Sequence, residues 1–214
     1  MNTPGFRNAL GGLVLATFFT SPAASLAQSE HAFAAKNNYV VSVHELKGQK
    51  AFDKGSHLLL KGDTAASVPY LQQAVAEYPE HYKAFYDLGV AQLRLGQTAE
   101  AEHAFQKSID LTSGSFAPPQ FGMGAILCQK QDFVHAEQVL QRGLELEPGS
   151  ALGKFYLGMA QFELNRLVEA ERNVRQALVR DAKLPGARIL LERIHLRQAS
   201  AQSSVEASIQ AGRP

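Results

Sequence analysis

The sequence predicts an all-α fold: a stack of four helix–turn–helix units closed by one further helix. Three observations carry that prediction. Glycines recur at Gly55, Gly89, Gly124 and Gly158, spaced 34, 35 and 34 residues apart, and a fixed period of this length is the mark of a repeat architecture. Seven residues beyond each glycine lies a candidate chain reversal: Gly62, Gly96, Gln131 and Asn165. Small residues then recur at Ser67, Ala101, Ala136 and Ala170 and again at Ala74, Ser108, Gly143 and Ala177, with Leu71, Phe105, Leu140 and Val174 between them. The stretches "DLGVAQLRLGQTAEAEHAF" (87–105) and "YLGMAQFELNRLVEAERNV" (156–174) show the period at a glance.

The elements follow in order. Residues 1–27 read as a secretory signal peptide: Arg7, an apolar run from Ala9 to Phe19, helix-breaking Pro22, and a small-residue exit at Ser25–Ala27. That run is shorter than the roughly 20 residues a bilayer span needs. A retained anchor is the alternative. Gln28 stands where a lipoprotein would carry cysteine. Residues 28–47 are expected to form a linker holding one short extended segment, Tyr39–Val43, of strand character.

The four units are expected at 48–81, 82–115, 117–150 and 151–184, with Phe116 inserted between the second and third. In each, the first glycine and the later small residue let two antiparallel helices approach, and the apolar residue between is the knob that packs across. The reversal column needs left-handed backbone, which Gly and Asn tolerate. Pro79 and Pro148 follow second helices, where proline breaks nothing. Pro118 and Pro119 fit a first helical turn. Pro69 falls inside a second helix, which is therefore expected to start late or kink. Residues 185–199 are expected to be a capping helix, with Leu190, Leu191 and Ile194 inward and Arg188, Arg193 and Arg197 outward. Residues 200–214, rich in Ser, Ala and Gln, read as a disordered tail.

These columns resemble the tetratricopeptide repeat, whose unit carries Leu-Gly, then a small, an apolar and a small residue, then proline. The resemblance covers about two thirds of the chain and departs from the pattern at Ser113 and Ala182, where proline is missing. It implies a right-handed α-solenoid whose first helices line a concave groove through positions 2, 5, 9, 12 and 13 of each unit. The partner-binding residues it assigns are Phe52, Leu59, Tyr86, Val90, Phe121, Phe155, Met159, Phe162 and Ile189. Aromatic residues at position 5 also serve packing, so this set has two readings. The Lys and Asn set with which some members clamp a peptide's terminal carboxylate is missing.

No catalytic or metal-binding constellation stands out in the sequence. One cysteine, Cys128, forbids an internal disulfide and a thiol metal cluster, and its inward position suits a small buried apolar residue. No two of the seven histidines are spaced i, i+3 or i+4 as a helical metal face requires. No phosphate-cradling glycine loop occurs. The 21 basic residues less Arg7 equal the 20 acidic ones, so a processed chain would exert no long-range pull on nucleic acid. Residues 165–199 are locally basic, which reads first as a solvated helix face.

The expectation is a protein without catalysis, cofactor or metal, exported to the periplasm or beyond. It would hold an extended protein segment in the apolar groove, with no nucleic-acid or small-molecule substrate and with membrane contact only through an unprocessed signal segment. The alternative is a structural subunit of an envelope or secretion assembly that docks through its convex or basic C-terminal face.

Overall fold

The structure, a computed structural model, describes residues 43–211. Contacts divide the chain into two units, Met1–Val43 and His44–Pro214, and all described residues but Val43 belong to the second. The expected signal peptide and residues 28–42 lie outside the described residues.

Nine helices and no strand occur among the described residues. They are α1 (43–61), α2 (Thr64–Glu77), α3 (Tyr82–Arg94), α4 (Thr98–Leu111), α5 (Pro118–Gln129), α6 (Phe133–Leu146), α7 (Ala151–Glu163), α8 (Leu167–Arg180) and α9 (Ala187–Ala211). The fold is the all-α tetratricopeptide solenoid. Along the chain α3 packs on α5, α5 on α7 and α7 on α9, whereas α2, α4, α6 and α8 touch no one of their own row. A row that stays in contact beside a row that splays must lie on the inside of the curve. The first helices therefore form the concave face.

The glycine column sets the spacing within each pair. A Cβ on Gly55 would lie 2.8 Å from Leu71, on Gly89 2.7 Å from Phe105, on Gly124 2.4 Å from Leu140 and on Gly158 2.6 Å from Val174. Each knob is completely buried. Ser67, Ala101, Ala136 and Ala170 are likewise fully buried, as are Ala74, Ser108 and Ala177. The same contact thus recurs four times.

The reversals also share one geometry. Gly62, Gly96, Gln131 and Asn165 all have positive φ. In each, the residue's own N–H bonds three residues back and the next N–H bonds five back, as in Gln131 to Cys128 (3.1 Å) and Asp132 to Leu127 (2.9 Å). Gln131, at φ 61°, holds this conformation without the freedom of glycine. At Ser113, where proline is missing, α4 ends on the same motif: Ser113 has φ 49° and Gly114 bonds back to Ile109 at 2.9 Å.

Three expectations need correction. Residues 43–47 belong to α1 rather than to a linker, so Val43, the last residue of the expected extended segment, is helical; within α1 the Gln49 amide donates to Asp53 one turn on at 2.8 Å. α2 begins at Thr64, in the same column as Thr98 at the start of α4, so Pro69 does not delay it. Proline there removes only the bond to the carbonyl of Ala65, near an end where few intrahelical bonds precede it. The capping helix runs on to Ala211, so residues 200–211 are helical rather than disordered. Ala, Gln and Glu suit a helix, no Gly or Pro intervenes before Gly212, and extending a formed helix avoids the cost of nucleation. Ser203 and Ser204 bond back to the carbonyls of Ala199 and Ser200 at 3.0 and 2.9 Å.

A polar network ties the third pair to the fourth. Arg166 donates to both oxygens of the nearly buried Glu137 at 2.7 Å, Gln161 donates to Glu137 at 3.3 Å, and Asn173 donates to Gln161 at 2.7 Å. Gln92 occupies the matching place in the second pair. There Ala104 and Val68 replace Asn173 and Glu137, and its buried Oε1 has no partner.

Two stability predictions follow from these contacts. Gly124→Leu should cost at least about 1–3 kcal/mol by overpacking against Leu140, while Gln129→Leu, at an exposed position, should leave the melting temperature nearly unchanged. Gln161→Leu should cost about 1–3 kcal/mol by stripping Asn173 and Glu137 of a partner, whereas Gln92→Leu, which removes an orphaned oxygen, should be neutral or stabilising. Urea melts of the four variants check both statements.

Candidate functional site

The nine residues assigned to the groove divide sharply. Leu59, Phe121, Phe155 and Phe162 are only 6, 4, 7 and 2 % exposed. They belong to the core rather than to the open surface of the groove. Phe52, Tyr86, Val90 and Met159 are half-buried, packed on the core yet open to solvent. Ile189 is 65 % exposed on α9.

The reason lies in what each position-5 ring meets. Cβ atoms on Gly143 and Gly153 would fall 2.6 and 2.5 Å from the Phe121 ring, so two glycines open the slot that this ring fills. In the first pair the corresponding residues are Ala74 and Ala84, and in the second Ser108 and Pro119. Phe52 and Tyr86 find no such slot and stay nearer the surface. Phe155 is packed with Ala177 and Ala187 in the last core cluster. Phe162 is covered from outside by Arg193 and Arg197, whose guanidinium carbons lie 4.7 and 4.0 Å from the ring centre. Gly143 and Gly153 are the sequence signal that Phe121 would sink.

Phe116, the inserted residue, joins the site unforeseen. Its ring meets Tyr82 and Tyr86 edge-on, with centroids 5.1 and 5.6 Å apart, and so widens the aromatic surface beside position 5 of the second pair. A cavity of about 270 Å³ opens near Phe52, lined also by Gln49, His81, Tyr82 and Lys83. In it His81 accepts the Ala84 N–H on Nδ1 at 3.2 Å, which leaves Nε2 to donate to Gln49 at 3.1 Å. Burial holds its pKa below the ordinary histidine value. A larger cavity, about 690 Å³, lies away from the first-helix face, between α4 and α6, with Asp110, Gln120, Arg142 and Glu145 in its wall.

Electrostatically the groove holds little that reacts. Burial pushes the Cys128 thiol up to about 11, so it stays protonated at neutral pH, and its S–H points to the Tyr156 carbonyl at 3.9 Å. Burial also raises Tyr86 and Tyr156. Asp87, beside Tyr86, is raised by partial burial, offset in part by a hydrogen bond from Ser56. Among the described residues no group of three His, Cys, Asp or Glu could hold a metal ion, and no helix is long and apolar enough to cross a membrane.

Much of the basic C-terminal stretch is spent internally. Arg166 pairs with Glu137, Arg175 with Glu171 and Arg193 with Glu163. Arg197 donates to the Phe162 carbonyl at 3.0 Å, as Arg94 does to Leu59 at 3.3 Å, so each caps the first helix of the pair before it. The division between core and groove can be checked by truncation. Phe121→Ala should cost about 3–5 kcal/mol of stability, while Tyr86→Ala should cost clearly less, as read from denaturant midpoints.

Comparison with known proteins agrees with this geometry. The tetratricopeptide repeat family model matches residues 52–116. No curated protein sequence matches significantly. Among solved structures, MamA from Desulfovibrio magneticus superposes with a TM-score of 0.61 at 20% identity, covering 77% of this chain and 92% of that one. A thermophilic TPR protein of Thermus thermophilus gives 0.60 at 21% identity, covering 71% and 82%. The first TPR of Spaghetti (RPAP3), solved with the HSP90 peptide SRMEEVD, gives 0.51 at 19% identity, covering 55% and 93%. At these identities the likeness speaks for the fold. With the repeat signature over residues 52–116 and the same helix pairing continued through α9, the chain has the all-α tetratricopeptide-repeat fold.

Proposed function

We propose that this protein is a non-catalytic adaptor of the bacterial cell envelope that holds an extended protein segment against its concave first-helix face. The observation that carries the reading is the half-buried row of Phe52, Tyr86, Val90 and Met159. These side chains are fixed by the core beneath them and still offer apolar surface, which is how aromatic and aliphatic anchors serve an interface. A fold neighbour, the first TPR of Spaghetti, is solved bound to a peptide, which supports a peptide partner for this fold. Export rests on the order of charge, apolar run and small-residue exit in residues 1–27. Among the described residues, repeat stacking accounts for the buried core.

Capture of envelope proteins on the immobilised 28–214 chain tests the reading. Tyr86→Glu with Met159→Glu should abolish capture while leaving the helical signal intact, and Arg172→Glu with Arg180→Glu on α8 should not affect it. Capture lost only with the α8 pair would move the site to the outer face and favour the assembly-subunit reading. N-terminal sequencing of the exported protein should begin at Gln28; a product beginning at Met1 would contradict processing.

A further inference from the structure

We propose that His81 is an acid-sensitive joint between the first two helix pairs: its neutral imidazole caps α3 and ties it to α1, and protonation releases the cap. The roles of the ring nitrogens are forced by a chain of hydrogen bonds. The Gln49 amide donates to Asp53 at 2.8 Å, so its oxygen is the atom turned toward His81. Only an N–H on Nε2 can meet that oxygen, at 3.1 Å. A neutral imidazole then keeps a bare nitrogen at Nδ1, which accepts the Ala84 N–H at 3.2 Å as the N-cap of α3. Gln49 lies on α1, so one ring joins the two first helices. That ring is 8 % exposed and packs against Phe52 and Tyr78, with centroids 4.4 and 5.4 Å away.

A proton added to Nδ1 sets two donors against each other, its own N–H and that of Ala84, and leaves a charge in a mostly buried place. The neighbours act in both directions. Burial is the largest influence and disfavours the charged ring, as does Lys83 on α3, while a backbone hydrogen bond and Asp53 on α1 favour it. Glu77, at the end of α2, is paired with His44 of α1. The net effect keeps His81 below its ordinary 6.5. The cavity of about 270 Å³ has His81, Tyr78, Tyr82 and Glu80 in its wall, so a protonated ring has room to turn from Ala84 toward an acid. Phe52, stacked on the imidazole, shifts with it, and the first joint of the concave row loosens. The device stands whether or not a segment binds the groove.

The direction with pH follows from the lowered value. The unfolded chain takes up this proton first, at about 6.5. The stability that neutral His81 contributes is therefore complete above that pH, declines as the pH falls toward the folded value, and levels off below it.

Titration of the ¹⁵N-labelled exported protein, beside its His81→Asn variant, tests the proposal. Asparagine can accept the Ala84 N–H in the same place and does not titrate, and equal urea midpoints at pH 8 establish that the variant is folded. The parent ring should show the Nε2–H tautomer at pH 8 and protonate with a midpoint below 6.5, and the Ala84 amide should move upfield with that same midpoint as its hydrogen bond is lost. Between pH 8 and pH 5 the parent's urea midpoint should fall relative to the variant's, the other histidines being common to both. An Nδ1–H tautomer at pH 8, a ring midpoint at or above 6.5, an Ala84 amide that does not follow the ring, or the same pH dependence in both chains overturns the proposal. Should the variant not fold, the ring and Ala84 signals of the parent decide alone.

Discussion

The contact on which the rest of the structure depends is the one between a helix without a side chain and a knob that fills the space. At Gly55, Gly89, Gly124 and Gly158 the first helix of each pair offers bare backbone, and Leu71, Phe105, Leu140 and Val174 press against it. This closeness is a packing constraint rather than a conformational one, since all four glycines sit inside helices. It fixes the separation within a pair, which sets how the next first helix nests between the two. Repeated four times, it yields a row of first helices in mutual contact and a row of second helices held apart. Curvature, and with it the concave face, is a consequence of that spacing.

The same logic decides which apolar residues can meet a partner. A side chain at position 5 points toward the junction with the following pair, and its depth depends on the residues across the junction. Two glycines swallow Phe121, whereas alanines before Phe52 and Ser108 with Pro119 before Tyr86 leave those rings part-way out. The third junction is therefore closed core, and the first two are open surface.

Much of this was legible in the sequence because repetition averages out local ambiguity. The glycine column, the reversal column with positive φ even at Gln131 and Asn165, and the fully buried small residues all stand where the period places them. The groove was read less well, because a repeat pattern specifies which face a residue points to and not how deep it lies. Phe121 and Phe162 share that face with Tyr86, but neighbours outside their own unit bury them. Local composition misled at the ends. The extended segment was expected to reach Val43, where α1 already begins, and the Ser- and Gln-rich stretch after Ala199 suggested disorder, although a helix once nucleated continues through it to Ala211.

Hydrogen–deuterium exchange of the chain, free and saturated with its tightest captured envelope protein, tests the central claim most directly. The account predicts added protection in α1 and α3 around Phe52, Tyr86 and Val90, extending toward Met159 on α7, with α2, α4, α6 and α8 unchanged. Protection concentrated on α4 and α6, around the cavity walled by Asp110, Arg142 and Glu145, would contradict it and place the binding surface on the outer row.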